Sequence, residues 1–517
     1  MEGESPNRIA RCDDARQGSE LVLVLRFKSC CCAKDGPQAP SAIDCAQNRP
    51  PLLYVARFSS NERVFKASSR RCARKILEGR TLPGLFSPFA AEGKRRSRAI
   101  EPSHPPTLPR RRQKVHRLGA RAVRGWDMRP VEVVVRASAA DAVRHGHPWI
   151  WQATIASAGP LSVGEEVSVV AQDGRSLGRG ICEPGSPIAV RVWTQGDTPI
   201  DDELVRSRVL RAIHLRTRIF ADGATTAYRV IHGEGDRMPG IVIDRYAHVA
   251  ILRADGPAAE AVARRFAETL REPLFATGIR SLAIRLGGRG ENVRLQGLGG
   301  EPPPDRVLVS EHGVPFEVDL ARGQKTGAFL DQRENRRRVS SISSGKDVLN
   351  LFSYAGGFSL LAALGGARSV TSVDIALAAH GTAQASFRIA GKSPSEYAFV
   401  TADAFVFLEQ AKKRGATWDL IVSDPPSFAP NERAVSRALS SYRALHRSCA
   451  SVLRPGGVLC ASSCSSHVDS KAFATTLDDA ALGRSDLALL EMFGAPPDHP
   501  TLAGWPEGQY LKFAVLA

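Results

Sequence analysis

Residues 348–367 read VLNLFSYAGGFSLLAALGGA. An apolar run, a turn carrying Gly356 and Gly357, and a second apolar run of helical length follow one another. That is how a doubly wound α/β sheet opens. The pattern repeats from residue 345 to 517. DVLNLFS, SVTSVDI, YAFVTA, DLIVSD, GVLCASSC and LKFAVLA predict strands, and the stretches between them predict helices. In such sheets a ligand binds at the carboxyl ends of the strands, where the strand order reverses.

The first turn is Ser353-Tyr354-Ala355-Gly356-Gly357, entered through Phe352. Glycine there lets the backbone approach a ligand and turn tightly into a helix. Neither GxGxxG nor GxxxxGK[ST] is present, which argues against a dinucleotide or ATP. Asp374 ends the next strand, where a carboxylate can accept both hydroxyls of a ribose. Asp403 follows the third strand, where it would meet an adenine amino group. Asp424 follows DLIVSD. Taken singly, each aspartate reads first as a cap or turn residue. As an ordered set with the glycine turn they fit S-adenosylmethionine, with Phe352, Ser353, Tyr354, Gly356, Asp374, Asp403 and Asp424 as its contacts.

Two further segments suggest what is methylated. Asp424-Pro425-Pro426-Ser427-Phe428 makes a stiff polar loop, and Cys464 ends a strand inside Ser-Ser-Cys-Ser. The order suggests methylation of a pyrimidine carbon in RNA: carbon 5 is a poor nucleophile until a thiolate adds to carbon 6 and makes it an enamine. The thiol must ionise near neutral pH, so its pKa is lowered or a base helps. Cys464 is the candidate nucleophile; Cys460 reads as strand core and Cys449 lies in a helix. Asp424 would hydrogen-bond the edge of the base and, when protonated, polarise the ring. Pro425 and Pro426 stiffen the loop, and Phe428 would stack on the base. The base must be unpaired or flipped out.

With these residues, 129–517 resembles the PUA-containing family of large-subunit ribosomal RNA cytosine-5 methyltransferases. The matching stretches are GHPWIW (146–151), HGEGDRMPGIVIDRY (232–246), GQKTGAFLDQRENR (323–336), NLFSYAGGFS (350–359), DPPSF (424–428) and SSCS (462–465). The resemblance implies a PUA-like β-barrel, a central α+β domain, and then a class I, Rossmann-like methyltransferase domain. It also implies that Lys325 covers the cofactor and that large-subunit rRNA is the substrate. Arg333, Arg336, Arg337 and Arg338 follow as a basic strip, read equally as a hold on RNA phosphates, Arg333 first, or as a solvated helix start. In one place the chain departs from many RNA cytosine-5 enzymes. Pro426 stands where they carry a second cysteine, which leaves the remover of the carbon 5 proton unassigned. Asp-Pro-Pro-aromatic is also similar to the loop of enzymes that methylate exocyclic amines. Methylation of a guanine or exocyclic nitrogen is therefore the rival chemistry, and a non-catalytic RNA-binding assembly factor the rival of another class.

The rest of the chain sets bounds. Of 70 basic and 53 acidic residues, 26 and 12 lie in residues 1–127, so the formal +17 shrinks to +3 over the remainder. Bulk charge is thus no evidence that the later domains bind nucleic acid. Residues 1–127 predict a disordered basic extension, or a start codon set too far upstream of Met128. The expected divisions are 1–127, 129–203 (barrel), 204–322 (central) and 323–517 (methyltransferase). Six of ten cysteines sit in the first segment without zinc spacing, so no metal is expected. No apolar run reaches 18 residues, so no membrane span is predicted. Four cysteines in the later part, with no signal peptide, suit a reducing cytoplasm. A homodimer is held open as the assembly.

Overall fold

The computed structural model describes residues 130–287, 293–481 and 484–517, together with three strands nearer the start. Those strands, β1 (Ala15–Gln17), β2 (Glu20–Arg26) and β3 (Leu53–Phe58), pair antiparallel in residues 1–121, a unit of its own. The basic runs around Lys94 and Arg110 lie outside the described residues.

Residues 122–517 form the second unit. It opens with a six-stranded sheet of β4 (Val131–Val135), β5 (Trp149–Trp151), β6 (Ile155–Ala158), β7 (Glu166–Ala171), β8 (Ser176–Cys182) and β9 (Ile188–Gln195). The spatial order is β5-β9-β8-β7-β4-β6, with helix α1 (Ala137–Arg144) against it. Helix α2 (Asp202–Ile219) follows, capped by Asp201, whose side chain accepts from the Leu204 N–H at 2.9 Å.

Five strands then lie in chain order: β10 (Ala227–His232), β11 (Ile241–Tyr246), β12 (Val249–Ala254), β13 (Ser281–Leu286) and β14 (Arg294–Gly300). The parallel pair β12–β13 needs a crossover, and two helices supply it, α3 (Pro257–Arg265) and α4 (Ala267–Phe275). The sequence predicts one helix over 258–272. The chain instead breaks at Phe266 (φ −99°, ψ 18°), and the bend buries Phe266, Leu270 and Leu274 in one core with Val205 and Ile243. That core also takes Ile181 and Trp193 from β8 and β9.

The hairpin β15 (Arg306–Glu311) and β16 (Val314–Asp319) covers the other face of the five-stranded sheet with Val307, Val309 and Val318. The Glu317 N–H also donates to Ser386 Oγ at 3.2 Å. Helix α5 (Arg333–Ser341) leads into the last sheet. Its elements are β17 (Asp347–Leu351), α6 (Gly357–Leu364), β18 (Ser369–Asp374), α7 (Leu377–Ile389), β19 (Ala398–Thr401), α8 (Ala404–Lys413), β20 (Trp418–Ser423), α9 (Val435–Ser451), β21 (Leu453–Ser463), α10 (Ser470–Ala481), β22 (Leu489–Phe493) and β23 (Lys512–Leu516).

The strand order is β19-β18-β17-β20-β21-β23-β22. The first five strands are parallel, and β23 runs antiparallel to both β21 and β22. This is the class I methyltransferase architecture. The periodicity reading overlooked β22, LLEMF, because its outer residues Leu489, Leu490 and Glu491 are exposed and break the alternation. Among the described residues no helix is long and apolar enough to cross a membrane.

Candidate active site

The order of strands puts five candidates along one sheet edge. Asp403 lies just beyond β19, Asp374 ends β18, the 352–357 turn leaves β17, Asp424 leaves β20 and Cys464 leaves β21. With parallel strands spaced about 4.8 Å apart, the row spans roughly 19 Å. The order reverses between β17 and β20, and the glycine turn and Asp424 flank that crevice.

The turn is wound left-handed. Phe352 (φ 57°), Tyr354 (φ 47°) and Gly356 (φ 75°) all have positive φ. For the two non-glycines this costs about 1–2 kcal/mol each, and surrounding bonds hold them. The Tyr354 N–H donates to Asp374 Oδ2 at 2.8 Å, and the Ser353 N–H donates to the Val373 carbonyl at 3.0 Å. The Tyr354 hydroxyl accepts from the Gln324 N–H at 2.7 Å and donates to the Gly327 carbonyl at 3.3 Å, tying the Gln-Lys-Thr-Gly loop to the turn. The Ser353 hydroxyl is buried and meets no partner among the described residues.

Asp374 and Asp403 also serve the backbone. Asp374 Oδ1 accepts from the Ala376 N–H at 2.8 Å. Asp403 caps α8 through Oδ1 alone, taking the N–H groups of Phe405 and Val406.

Around Asp424 a second layer assembles. Gln332 Nε2 donates to Asp424 Oδ1 and to Ser462 Oγ, each at 2.9 Å, and its own Oε1 accepts from Asn335 Nδ2 at 2.6 Å. Burial, with Asp331 adding a like charge, pushes the Asp424 carboxyl up to about 6. Asp331 is itself buried; burial works to raise it, but Lys325 at 2.7 Å outweighs that and holds it well below the usual range. The Tyr510 hydroxyl donates to the same Asp331 oxygen at 2.8 Å, while Asp331 Oδ1 has no partner among the described residues. Lys325 is left-handed too (φ 52°), and its ammonium sits 4.5 Å from the Phe329 ring centre.

Cys464 is half-buried, whereas Cys449 and Cys460 are fully buried, with thiols that burial pushes up to about 12. The two inner thiols are therefore inert. The Cys464 thiol is also raised, first by burial and then by the Asp424 charge; Lys325 and Lys512 work the other way. So in the free protein Cys464 does not meet the lowered-pKa condition, and a neighbouring group must take its proton.

The basic strip divides. The Arg333 side chain is fully buried, bonded to both oxygens of Asp498 at 2.7 and 3.1 Å and stacked 4.7 Å over Phe220. It has no face left for a phosphate. Arg336 likewise pairs with buried Glu311 at 2.5 Å. Residues 333 and 336 share the inner face of α5, while Arg337 points to solvent and Arg338 lies over Phe493. Phe428 is half-buried against Tyr442, with ring centres 4.9 Å apart, so its ring is partly committed to the core. Pro425 is buried and Pro426 exposed. The candidates read from sequence omitted Asp331, Gln332, Ser462 and Lys512. The first three lie inside motifs already quoted; Lys512 is a lone cation opening an otherwise apolar strand.

Residues 247–510 match the family model described as S-adenosylmethionine-dependent methyltransferase, and residues 133–195 match a PUA-like domain. The chain belongs to this methyltransferase family. The Shewanella denitrificans protein named "Ribosomal RNA large subunit methyltransferase I" is 37% identical over 380 residues, covering 71% of this chain and 94% of that protein. The Deinococcus radiodurans "Ribosomal RNA large subunit methyltransferase" is 38% identical, covering 72% and 94%. A SAM-dependent methyltransferase from Streptococcus mutans, 22% identical, shares the fold with a TM-score of 0.67 over 75% of this chain and 99% of its own. S-adenosylmethionine is therefore the cofactor of this methyltransferase. Its sulfonium and ammonium groups suit an edge where Asp374, Asp403 and Asp424 stand at strand ends, and the free Ser353 hydroxyl offers one more polar contact. When bound, the cofactor supplies an electrophilic methyl group.

Proposed function

We propose that this methyltransferase modifies carbon 5 of a cytosine in large-subunit ribosomal RNA, through a transient bond from Cys464. The observation that carries the reading is the pairing of Cys464 and Asp424 at the ends of neighbouring strands, beside the crevice next to the glycine turn. The rRNA substrate follows from the names of relatives that this chain covers almost end to end.

In this reading Asp424 works in its protonated form. Gln332 occupies Oδ1 as a donor, so the proton sits on Oδ2 and is given to ring nitrogen 3, while Oδ1 accepts from the amino group. Proton donation makes carbon 6 electrophilic, and the Cys464 thiol gives its proton to water or a base as the sulfur bonds to that carbon. Carbon 5, made nucleophilic by that bond, is then open to the methyl group the cofactor would supply; water or a base takes the carbon 5 proton, C5=C6 re-forms as the C–S electrons return to sulfur, and ring nitrogen 3 returns its proton to Asp424. Phe352, Ser353, Tyr354, Gly356, Asp374, Asp403 and Lys325 hold the cofactor, and Pro425 and Phe428 shape the base pocket. The six-stranded domain at 129–203 and the central domain at 204–322 position RNA for the domain at 323–517, and the cytoplasm is where it works.

One observation favours the nitrogen-methylating reading: the Cys464 thiol is raised, and that chemistry needs no thiol. The test is mass spectrometry of rRNA nucleosides from cells with the gene, without it, and with Cys464→Ala. Loss of one 5-methylcytidine in both altered strains is expected. Full methylation by Cys464→Ala would hand the reaction to a nitrogen.

A further inference from the structure

Lys512 is 1% exposed, a cation inside the seven-stranded sheet. It opens β23 opposite Ser463 in the register with β21. Its ammonium donates to the Ser465 carbonyl at 2.5 Å and to the Tyr510 carbonyl at 2.8 Å. Both partners are neutral, and among the described residues no ion pair joins it to a carboxylate. A buried charge without a counter-charge is costly. Yet the carbonyl it grips belongs to the residue directly after Cys464. The groups that act electrostatically on Cys464 are Asp424, Asp331, Lys325 and Lys512, and Tyr442 also feels its charge. Those that act on Lys512 are Cys464 and Asp469. Lys325, the stronger of the two cationic influences on the sulfur, is bonded to Asp331, whereas Lys512 has no carboxylate bonded to it among the described residues.

We propose that the Lys512 ammonium is the fixed counter-charge of the Cys464 thiolate: a positioning residue that clamps the cysteine loop through Ser465 and favours the ionised sulfur. This rests on the reading of Cys464 as the nucleophile. The lysine opposes the two carboxylates that, with burial, raise the thiol. Burial lowers its own pKa to about 8, with Cys464 pushing it back up, so the pair is complete only while the ammonium keeps its proton.

The experiment measures the pH dependence of iodoacetamide alkylation at Cys464, resolved by peptide mass spectrometry on the full chain without RNA. Lys512→Met is compared with Lys512→Arg and the unaltered protein, and S-adenosylmethionine calorimetry reports that each is folded. The expected result is a midpoint about one unit higher in Lys512→Met, or roughly tenfold slower alkylation at neutral pH, with Lys512→Arg near the unaltered value. Lys512→Gln replaces the Met variant if that fails to fold, because it keeps a donor without a charge. An unchanged midpoint in the uncharged variant overturns the proposal, and so does an equal shift in Lys512→Arg. Alkylation involves no methyl transfer, so this result is separate from the Cys464→Ala outcome that would sink the catalytic reading.

Discussion

Asp424 ionises only near pH 6, because burial and the Asp331 charge oppose the anion. In the unfolded chain it ionises near its ordinary 3.8. Below that value the side chain is protonated in both states and has no effect. Between the two values only the unfolded chain releases the proton, so folding loses stability as pH rises, and the loss is complete above about 6. Asp424→Asn removes it. Calorimetric melting should therefore show the variant gaining about 1–3 kcal/mol over the unaltered protein at pH 8 and nothing at pH 3.5, while methylation is lost at both. An equal gain at the two pH values would refute the raised carboxyl. Cys464→Ala is the companion case: no 5-methylcytidine forms, yet calorimetric affinity for S-adenosylmethionine stays within about threefold, since the sulfur lies one strand beyond the switch point. Both residues stood out in the sequence as a loop aspartate and a strand-end cysteine. Gln332 did not, because what matters is the atom it reaches 92 positions away.

Helix α5 shows how far an element can be read from its residues. Its arginines formed a basic run, and basic runs usually face solvent or phosphate. The helical repeat sorts them into faces, but only the neighbours decide which face is covered. Asp498 and Glu311 arrive from distant segments and take Arg333 and Arg336 inward. Breaking such a buried pair from one side costs about 3–5 kcal/mol. Arg333→Ala should lower the melting temperature steeply, and the folded fraction should bind RNA with unaltered affinity and salt dependence; a weaker salt slope without destabilisation would return Arg333 to the phosphates. The turn before α6 makes a second case. Gly356 has φ 75°, and a Cβ there would lie 2.7 Å from that of Ala383. Gly356→Val should weaken S-adenosylmethionine binding at least about tenfold by shifting the turn, as calorimetry would read. The glycine was plain in the sequence, and its contact with α7 was not.

At the scale of the molecule, a buried polar cluster ties the central sheet to the catalytic one. Arg229 bonds Asp244 at 2.8 and 3.0 Å, Asp244 accepts from Thr326 at 2.5 Å, and Arg216 holds Asp236 at 2.7 Å and the Asp498 carbonyl at 2.7 Å. Asp498 in turn holds Arg333. Breaking any member strands another charge, so the domains from 122 onward should melt together in one calorimetric transition, and removing residues 1–121 should leave that transition in place. Two separated transitions would show the cluster to be weak. The strand–helix alternation, the glycine turn, the acidic residues at strand ends and the cysteine in its polar loop were all legible from the residues alone, because periodicity and turn chemistry are local. Folding in three dimensions was needed to set Asp424 and Cys464 on neighbouring strands, to wall in Arg333, and to bond Lys512 to the carbonyl next to Cys464. Strand order and burial depend on contacts between residues far apart in the chain, and no local pattern encodes which of them meet.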